Sequence, residues 1–470
     1  MMRKAFAGLV LLMVSAVAAG AQETIKNDRV AKAQPPKYSE PTCELKKGNY
    51  LVSSGATYLK SGMETSVEVN RMRIFGDAKR VLTEAITKGQ SASSGAWYFL
   101  GRTYLQLGDI PGADSALTRA EQLAPACAGE IKTLRRNSWI PLVNTGSQFL
   151  KDGNTDSAIV LYQQANGIYR QETNAMMNLG VLYTNTGQND SAIVYFQKAA
   201  QIASADSTQT ATRNQATYNL AALLSNAGRY AEALPVWEQY LKWAPNEVDA
   251  RKGYARALRA SGQADKAAAI ERELISTGAD EVSTDDLMTA GVNFFRDKNY
   301  TEAASAFSRV VAREPWNRDA LFNLANSYLG AQDPANLLKA ATALNEVDPM
   351  NESSKKLLAQ AYQMQKNQDM TIKLYTELEA MPFSLSMDEF SLTSGGARAA
   401  GTATGRAAKT VDGKPIAPKP VTLLFEFVDE GKAVVATSER VVPPLKEGET
   451  ARVEAEAVGS GIVGWRYRMK

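Results

Sequence analysis

Histidine is absent from all 470 residues, and that absence removes several kinds of chemistry together. Serine–histidine and cysteine–histidine nucleophiles, imidazole general bases and imidazole metal ligands are excluded. Carboxylate, lysine or tyrosine chemistry and all-oxygen cation sites stay open, but no constellation of such residues stands out. The acidic pairs Asp285-Asp286 and Asp388-Glu389 read as a helix start or a solvated loop. Gly459-Ser-Gly461-Ile-Val-Gly464 has the letters of a dinucleotide loop, but only six residues follow it. Such a loop needs a helix after it and an acidic residue about 20 positions on. The segment reads instead as a turn before a last strand, Gly464 to Met469. With no Walker loop, C-x-x-C or EF-hand loop either, the sequence offers no catalytic residue, cofactor motif or metal site. It reads as a non-enzyme.

Two cysteines occur, Cys43 and Cys127. An even count in an exported chain points to one disulfide; the alternative is two free thiols too far apart to bridge. Export is itself an expectation from the N-terminus. Arg3 and Lys4 precede an apolar run from Ala5 to Val17, and Ala19-Gly20-Ala21 forms a small-residue cleavage site. The run is shorter than the roughly 20 residues a spanning helix needs. Cleavage after Ala21 would leave a chain in the periplasm or outside the cell, with no integral membrane segment. The formal net charge is +3, and two of those charges leave with the leader. The near-neutral remainder has no electrostatic footprint for nucleic acid.

Asparagines recur at a fixed interval, and they lead from chemistry to the elements that must carry it. Asn144 and Asn178 lie 34 residues apart, and the same is true of Gly146 and Gly180 and of Gly153 and Gly187. The fullest unit reads Trp97-x-x-Leu100-Gly101-x-x-Tyr104, then Gly108, Ala113, Leu117, Ala120 and Pro125. This pattern resembles the tetratricopeptide repeat at every signature position. It returns, strongly or weakly, as eight units between about Ser94 and Met381, with a degenerate one before them at about Asn49 to Lys88. The resemblance implies helical hairpins in which small residues such as Gly180 let two helices cross closely and Phe196 fills the hole beside them. Glycines such as Gly153, Gly187, Gly228 and Gly262 would reverse the chain between helices. Pro125, Pro245, Pro315 and Pro349 would end each second helix. One hairpin cannot bury its apolar stripe alone, so the units are expected to stack as an α-α superhelix with a concave face.

In tetratricopeptide domains the sixth position of the first helix faces that groove. Here it is Asn144, Asn178, Asn219 and Asn323, interrupted by Gly253. The column is similar to the asparagine ladder of the O-GlcNAc transferase family. It implies amides that hold an extended peptide by its backbone. Met177, Tyr218 and Phe322 are expected beside it for apolar side chains, and Lys151, Arg256 and Arg259 for carboxylates. The alternative is a groove that the amides merely keep hydrated.

Beyond Met381 the helical period stops. Phe383 to Leu392, Val421 to Val428 and Ala451 to Ala457 alternate or run with β-branched and aromatic residues, separated by turn signals. Six or seven short strands suggest a small all-β immunoglobulin-like sandwich. Residues 420–457 resemble small extracytoplasmic β-sandwich domains of bacterial envelope proteins, which implies an accessory or docking module. Gly395 to Ala408 fits either a linker or a strand. The expected organisation is thus a leader (1–21), an N-terminal extension (22–48), a mostly α solenoid (49–381) and a β-domain (382–470). The function expected is an exported scaffold holding a protein or peptide partner. A self-assembling envelope component, and an enzyme with its site in the β-domain, are the other readings; the oligomeric state stays open.

Overall fold

The computed structural model describes residues 37–46, 48–276 and 282–470, and the chain divides after Pro245 into two compact units. The expected leader, residues 1–21, lies outside the described residues. In the first unit, ten helices form five hairpins: α1 (Tyr50–Glu64) with α2 (Glu68–Ala85), α3 (Ser94–Leu107) with α4 (Ile110–Leu123), α5 (Ala128–Lys151) with α6 (Thr155–Ile168), α7 (Asn174–Asn185) with α8 (Asn189–Ser204), and α9 (Thr210–Asn226) with α10 (Tyr230–Trp243). The second unit holds four more: α11 (Val248–Ala260) with α12 (Ala264–Ser276), α13 (Thr284–Arg296) with α14 (Tyr300–Arg313), α15 (Arg318–Gly330) with α16 (Pro334–Val347), and α17 (Glu352–Met364) with α18 (Gln368–Glu379). The expected insertion near Ala205 is a short 3-10 turn, Ser207–Gln209, leading into a lengthened α9.

The small-beside-large rule of the sequence has a direct geometric cause. A Cβ added to Gly180 would stand 2.6 Å from Cε1 of Phe196, and one on Gly291 would stand 2.7 Å from Cε1 of Phe307. The aromatic ring takes the volume the glycine leaves, and Phe196 and Phe307 are both buried. Each such ring contributes about 1.5–3 kcal/mol by leaving water.

Between the helices of every hairpin except the first, α1–α2, the chain reverses through a left-handed residue. Gly153, Gly187, Gly228 and Gly262 have φ of 78°, 75°, 74° and 77°. In the last three hairpins Lys298, Gln332 and Lys366 occupy the same place with φ of 63°, 55° and 60°. A side chain there costs roughly 1–2 kcal/mol per residue. Those positions keep the 34-residue interval although the residue type changes.

After α18 six strands follow: β1 (Phe383–Thr393), β2 (Gly396–Gly405), β3 (Val421–Val428), β4 (Val434–Val442), β5 (Thr450–Val458) and β6 (Gly464–Met469). They form two three-stranded antiparallel sheets, ordered β1-β2-β5 and β4-β3-β6. Leu423, Phe425 and Phe427 alternate inward on β3, and Leu385, Ala399, Ala403, Val453 and Ala455 meet them from the other sheet. The stretch that fitted linker or strand is β2, the centre of its sheet. Its alanines face the large rings of Phe425, Trp465 and Tyr467, so small residues on one sheet match large ones on the other. Asp388 and Glu389 sit in β1 at a register shift between Met387 and Glu389, not in a loop. Asp286 is in the capping box of α13 with Ser283.

Within the second unit the β-domain and the last hairpins share a buried junction. The Tyr467 hydroxyl donates to Asp348 Oδ1 at 2.5 Å and accepts from the Met350 N–H at 3.2 Å. Arg318 donates to the carbonyls of Val347 (2.7 Å) and Trp465 (3.2 Å), with its guanidinium 3.4 Å above the Trp465 ring centre. Burial pushes the Asp348 carboxyl up, against the opposing pull of Arg318 and Tyr467. Burial also lowers Arg318 to about 10. Met350, Leu378 and Met381 join the core of the sandwich.

Candidate functional site

The asparagines that share one repeat position do not share one environment. Asn144 on α5 is exposed and Asn178 on α7 is half-buried, and neither side chain has a hydrogen-bond partner among the described residues. Both amides are therefore available as donor and acceptor. Asn219 departs from the expectation of a groove-facing amide. Its side chain is buried, its Oδ1 accepts from Gln215 at 3.0 Å, and its Nδ2 has no partner. Its neighbour Tyr218 is held in an aromatic cluster, 5.3 Å from the Trp237 ring and 5.5 Å from the Tyr240 ring. Large rings on α10 close over this turn of α9. Met177 is half-buried against Met176, Ala199 and Ala216. Asn323 and Phe322 belong to the second unit, where Asn323 is half-buried and Phe322 is 38% exposed.

Of the expected cations, Lys151 is exposed at the end of α5 and Arg256 is exposed on α11. Arg259 corrects the expectation. It donates to Asp297 at 2.5 Å and to Glu271 at 2.7 Å, and Glu271 also accepts from Asn293 at 2.9 Å. This half-buried ion triad ties α11, α12 and α13 together, so the guanidinium is committed to the fold. Truncating one member would leave the others uncompensated. Among the described residues no group of three or more metal-ligating side chains is arranged to hold an ion.

A segment the sequence reading left without a role shows how these hairpins hold extended chain. Residues 37–46 lie against α3 and α5. The Arg102 guanidinium donates to the Ser39 carbonyl at 2.9 Å and lies 4.8 Å from the Tyr38 ring. Glu130 accepts from the Thr42 N–H and hydroxyl, both at 2.8 Å, from the Cys43 N–H at 3.1 Å, and from the Tyr98 hydroxyl. Lys46 donates its N–H to Ser94 and accepts through its carbonyl from Ser93. Cys43 and Cys127 are joined by a disulfide that closes this arrangement. Burial pushes the Glu130 carboxyl up, and the bonds from Tyr98, Thr42 and Cys43 together outweigh it and hold it below its ordinary value. Gly95, Tyr98 and Arg102 recur at helical spacing on α3, so one side of a repeat helix receives a main chain. Glu130 carried no motif that would have singled it out.

Family models described as tetratricopeptide repeat match residues 224–283, and residues 71–126 and 288–336. These matches cover the left-handed turns at Gly108, Gly228, Gly262, Lys298 and Gln332. The chain is a tetratricopeptide-repeat protein. A model described as soluble NSF attachment protein matches residues 147–248 of this tetratricopeptide-repeat chain. No curated protein matches the sequence. Among solved structures, YrrB, a "TPR protein with an unusual peptide-binding site", is 19% identical with a TM-score of 0.33, covering 40% of this chain and 94% of its own. MamA from Desulfovibrio magneticus RS-1 is 19% identical with a TM-score of 0.32, covering 40% and 97%. A tetratricopeptide repeat protein from Parabacteroides merdae is 18% identical with a TM-score of 0.30, covering 58% and 99%. Tetratricopeptide arrays are generally non-enzymatic protein–protein interaction scaffolds. Among the described residues, no helix is long and apolar enough to cross a membrane.

Proposed function

We propose that this protein is an exported scaffold whose first unit holds an extended segment of a partner polypeptide through the free amides of Asn144 and Asn178. The observation that carries the reading is their unpaired state at one repeat position on successive hairpins, α5 and α7. Each amide can donate to a carbonyl and accept from an N–H of an extended main chain, which gives affinity with little demand on the ligand's side chains. Lys151, exposed near Asn144, adds a charge that favours acidic residues or a carboxylate. The way residues 37–46 lie against α3 supports the same mode, since it is again a main chain received by a repeat helix. Asn219, Tyr218 and Arg259 act in packing, and Asn323 lies in the other unit.

Export is supported by the charged and apolar N-terminus and by the Cys43–Cys127 bond, which persists in an oxidising compartment. The mass of the N-terminus in protein from the native host tests it; a chain that keeps Met1 would contradict it. The binding reading is tested by selecting displayed random 12-residue peptides on the chain from Gln22 onward. It expects retained peptides of varied sequence and extended character. Retention no better than on a chain with Asn144 and Asn178 both changed to Ala would contradict it.

A further inference from the structure

The second unit contains a cleft of about 1010 Å³ that the amide column does not use. One wall is the start of α15 with Trp316, Asp319 and Phe322; another is the first turn of α17; the third is β1 from Ser386 to Phe390, with Glu430 and Trp465 beside it. β1 is the outer strand of its sheet, paired with β2 alone. On its open side the Leu385 N–H is taken by the Met350 carbonyl at 2.9 Å. Beyond that bond the strand runs on along the cleft. An edge strand lining a cleft is a template for one more strand.

The charges of the walls say which strand. Asp319, Asp388 and Glu430 are exposed and make no hydrogen bond or ion pair among the described residues; Asp319 acts on Arg318 through its charge alone. The lining holds six carboxyl groups, Glu314, Asp319, Asp348, Asp388, Glu389 and Glu430, against two guanidiniums, Arg313 and the buried Arg318. The cleft is therefore acidic toward anything that enters. The acids do not form a group able to chelate a metal. Their counter-charge must be spread along a chain. Phe322 and Phe390, 38% and 40% exposed, offer rings for an apolar side chain or for the stems of lysine and arginine.

We infer that this cleft binds an extended, basic segment of a partner polypeptide, which adds to β1 as a further strand while its lysines or arginines meet Asp319, Asp388 and Glu430. The edge supplies main-chain hydrogen bonds and the acids supply selectivity. This site is independent of Asn144 and Asn178.

The test uses the chain from Gln22 onward and three fluorescent ten-residue peptides. The first alternates Lys with Val and Phe, the second replaces each Lys by Glu, and the third is the first with alternate backbone amides N-methylated. Fluorescence anisotropy should show the basic peptide binding at least roughly tenfold tighter than the acidic one, the scale of three rim ion pairs. The triple variant Asp319→Lys, Asp388→Lys, Glu430→Lys should lose that preference. All three positions are exposed, so unchanged circular dichroism is expected. N-methylation should abolish binding, because it removes the donors a strand needs. The preference for the basic over the acidic peptide should persist in the Asn144→Ala/Asn178→Ala variant, in which the column is disabled, and this separates the cleft from the column. Equal binding of the basic and acidic peptides, an unaffected triple variant, or equal binding of the N-methylated peptide would overturn the inference, as would no binding of the basic peptide.

Discussion

Replacing Cys43 and Cys127 together by alanine removes a cross-link between residues 84 apart in sequence. In the chain-entropy account, closing a loop of that length withdraws about 15 cal/mol/K from the unfolded ensemble, or about 4–5 kcal/mol at room temperature. Cys127 is fully buried, so alanine is the substitution that leaves least strain there. The loop runs from the extension through α1 to α4, so the loss falls on the first unit, where Glu130, Arg102 and Ser93 still hold residues 37–46 non-covalently. For a cooperative unit of about 200 residues, 4–5 kcal/mol corresponds to a midpoint lower by roughly 10–15 °C. Thermal unfolding followed by circular dichroism reads this, and dithiothreitol added to the parent should reproduce the shift. Two alkylated thiols in native, unreduced protein, or a double variant melting within about 2 °C of the parent, would refute the reasoning.

The remaining expectations concern packing, turns and pH. Gly180→Leu places a side chain where a Cβ alone would stand 2.6 Å from Phe196, so overpacking should lower stability by about 1–3 kcal/mol or more, read as a lower melting temperature. Lys298→Gly, Gln332→Gly and Lys366→Gly relieve left-handed strain of roughly 1–2 kcal/mol each, less the extra entropy glycine has when unfolded; each should stabilise by about 0.5–1 kcal/mol in urea titrations. Glu130 is held below its ordinary carboxyl range, so its contribution is present above about pH 4.3 and is lost as the pH falls through the lowered value. Glu130→Gln should therefore melt below the parent at pH 7, and the gap should shrink at pH 3. A gap of the same size at both pH values would show that the ionised carboxylate is not what holds the segment.

The hairpins were legible in sequence because their determinants are local and periodic. Gly180 and Phe196 sit 16 residues apart in one hairpin, and the left-handed glycines recur in pairs 34 residues apart, Gly153 with Gly187 and Gly228 with Gly262. The last three turns were harder to see because Lys298, Gln332 and Lys366 carry no turn signature; the 34-residue interval alone marks them. The site was less legible because exposure depends on partners distant in sequence. Asn219 shares its repeat position with Asn144 and Asn178, but rings of α10 pack around the adjoining turn and its amide is buried. Arg259 looks like a free groove cation until Asp297, 38 residues on, is placed beside it. In β2, alanines and glycines that suggested a linker form a central strand because the opposing sheet carries the large rings.

The claim that Asn144 and Asn178 hold a ligand main chain is tested most directly by titrating a selected peptide against the parent, the Asn144→Ala/Asn178→Ala variant and Asn219→Ala. Counting only one hydrogen bond of about 1 kcal/mol net for each amide, the double variant should bind at least roughly 30-fold more weakly with unchanged helicity. Asn219→Ala should alter stability and leave affinity alone, because its amide is buried. Equal affinity of the parent and the double variant would contradict the account.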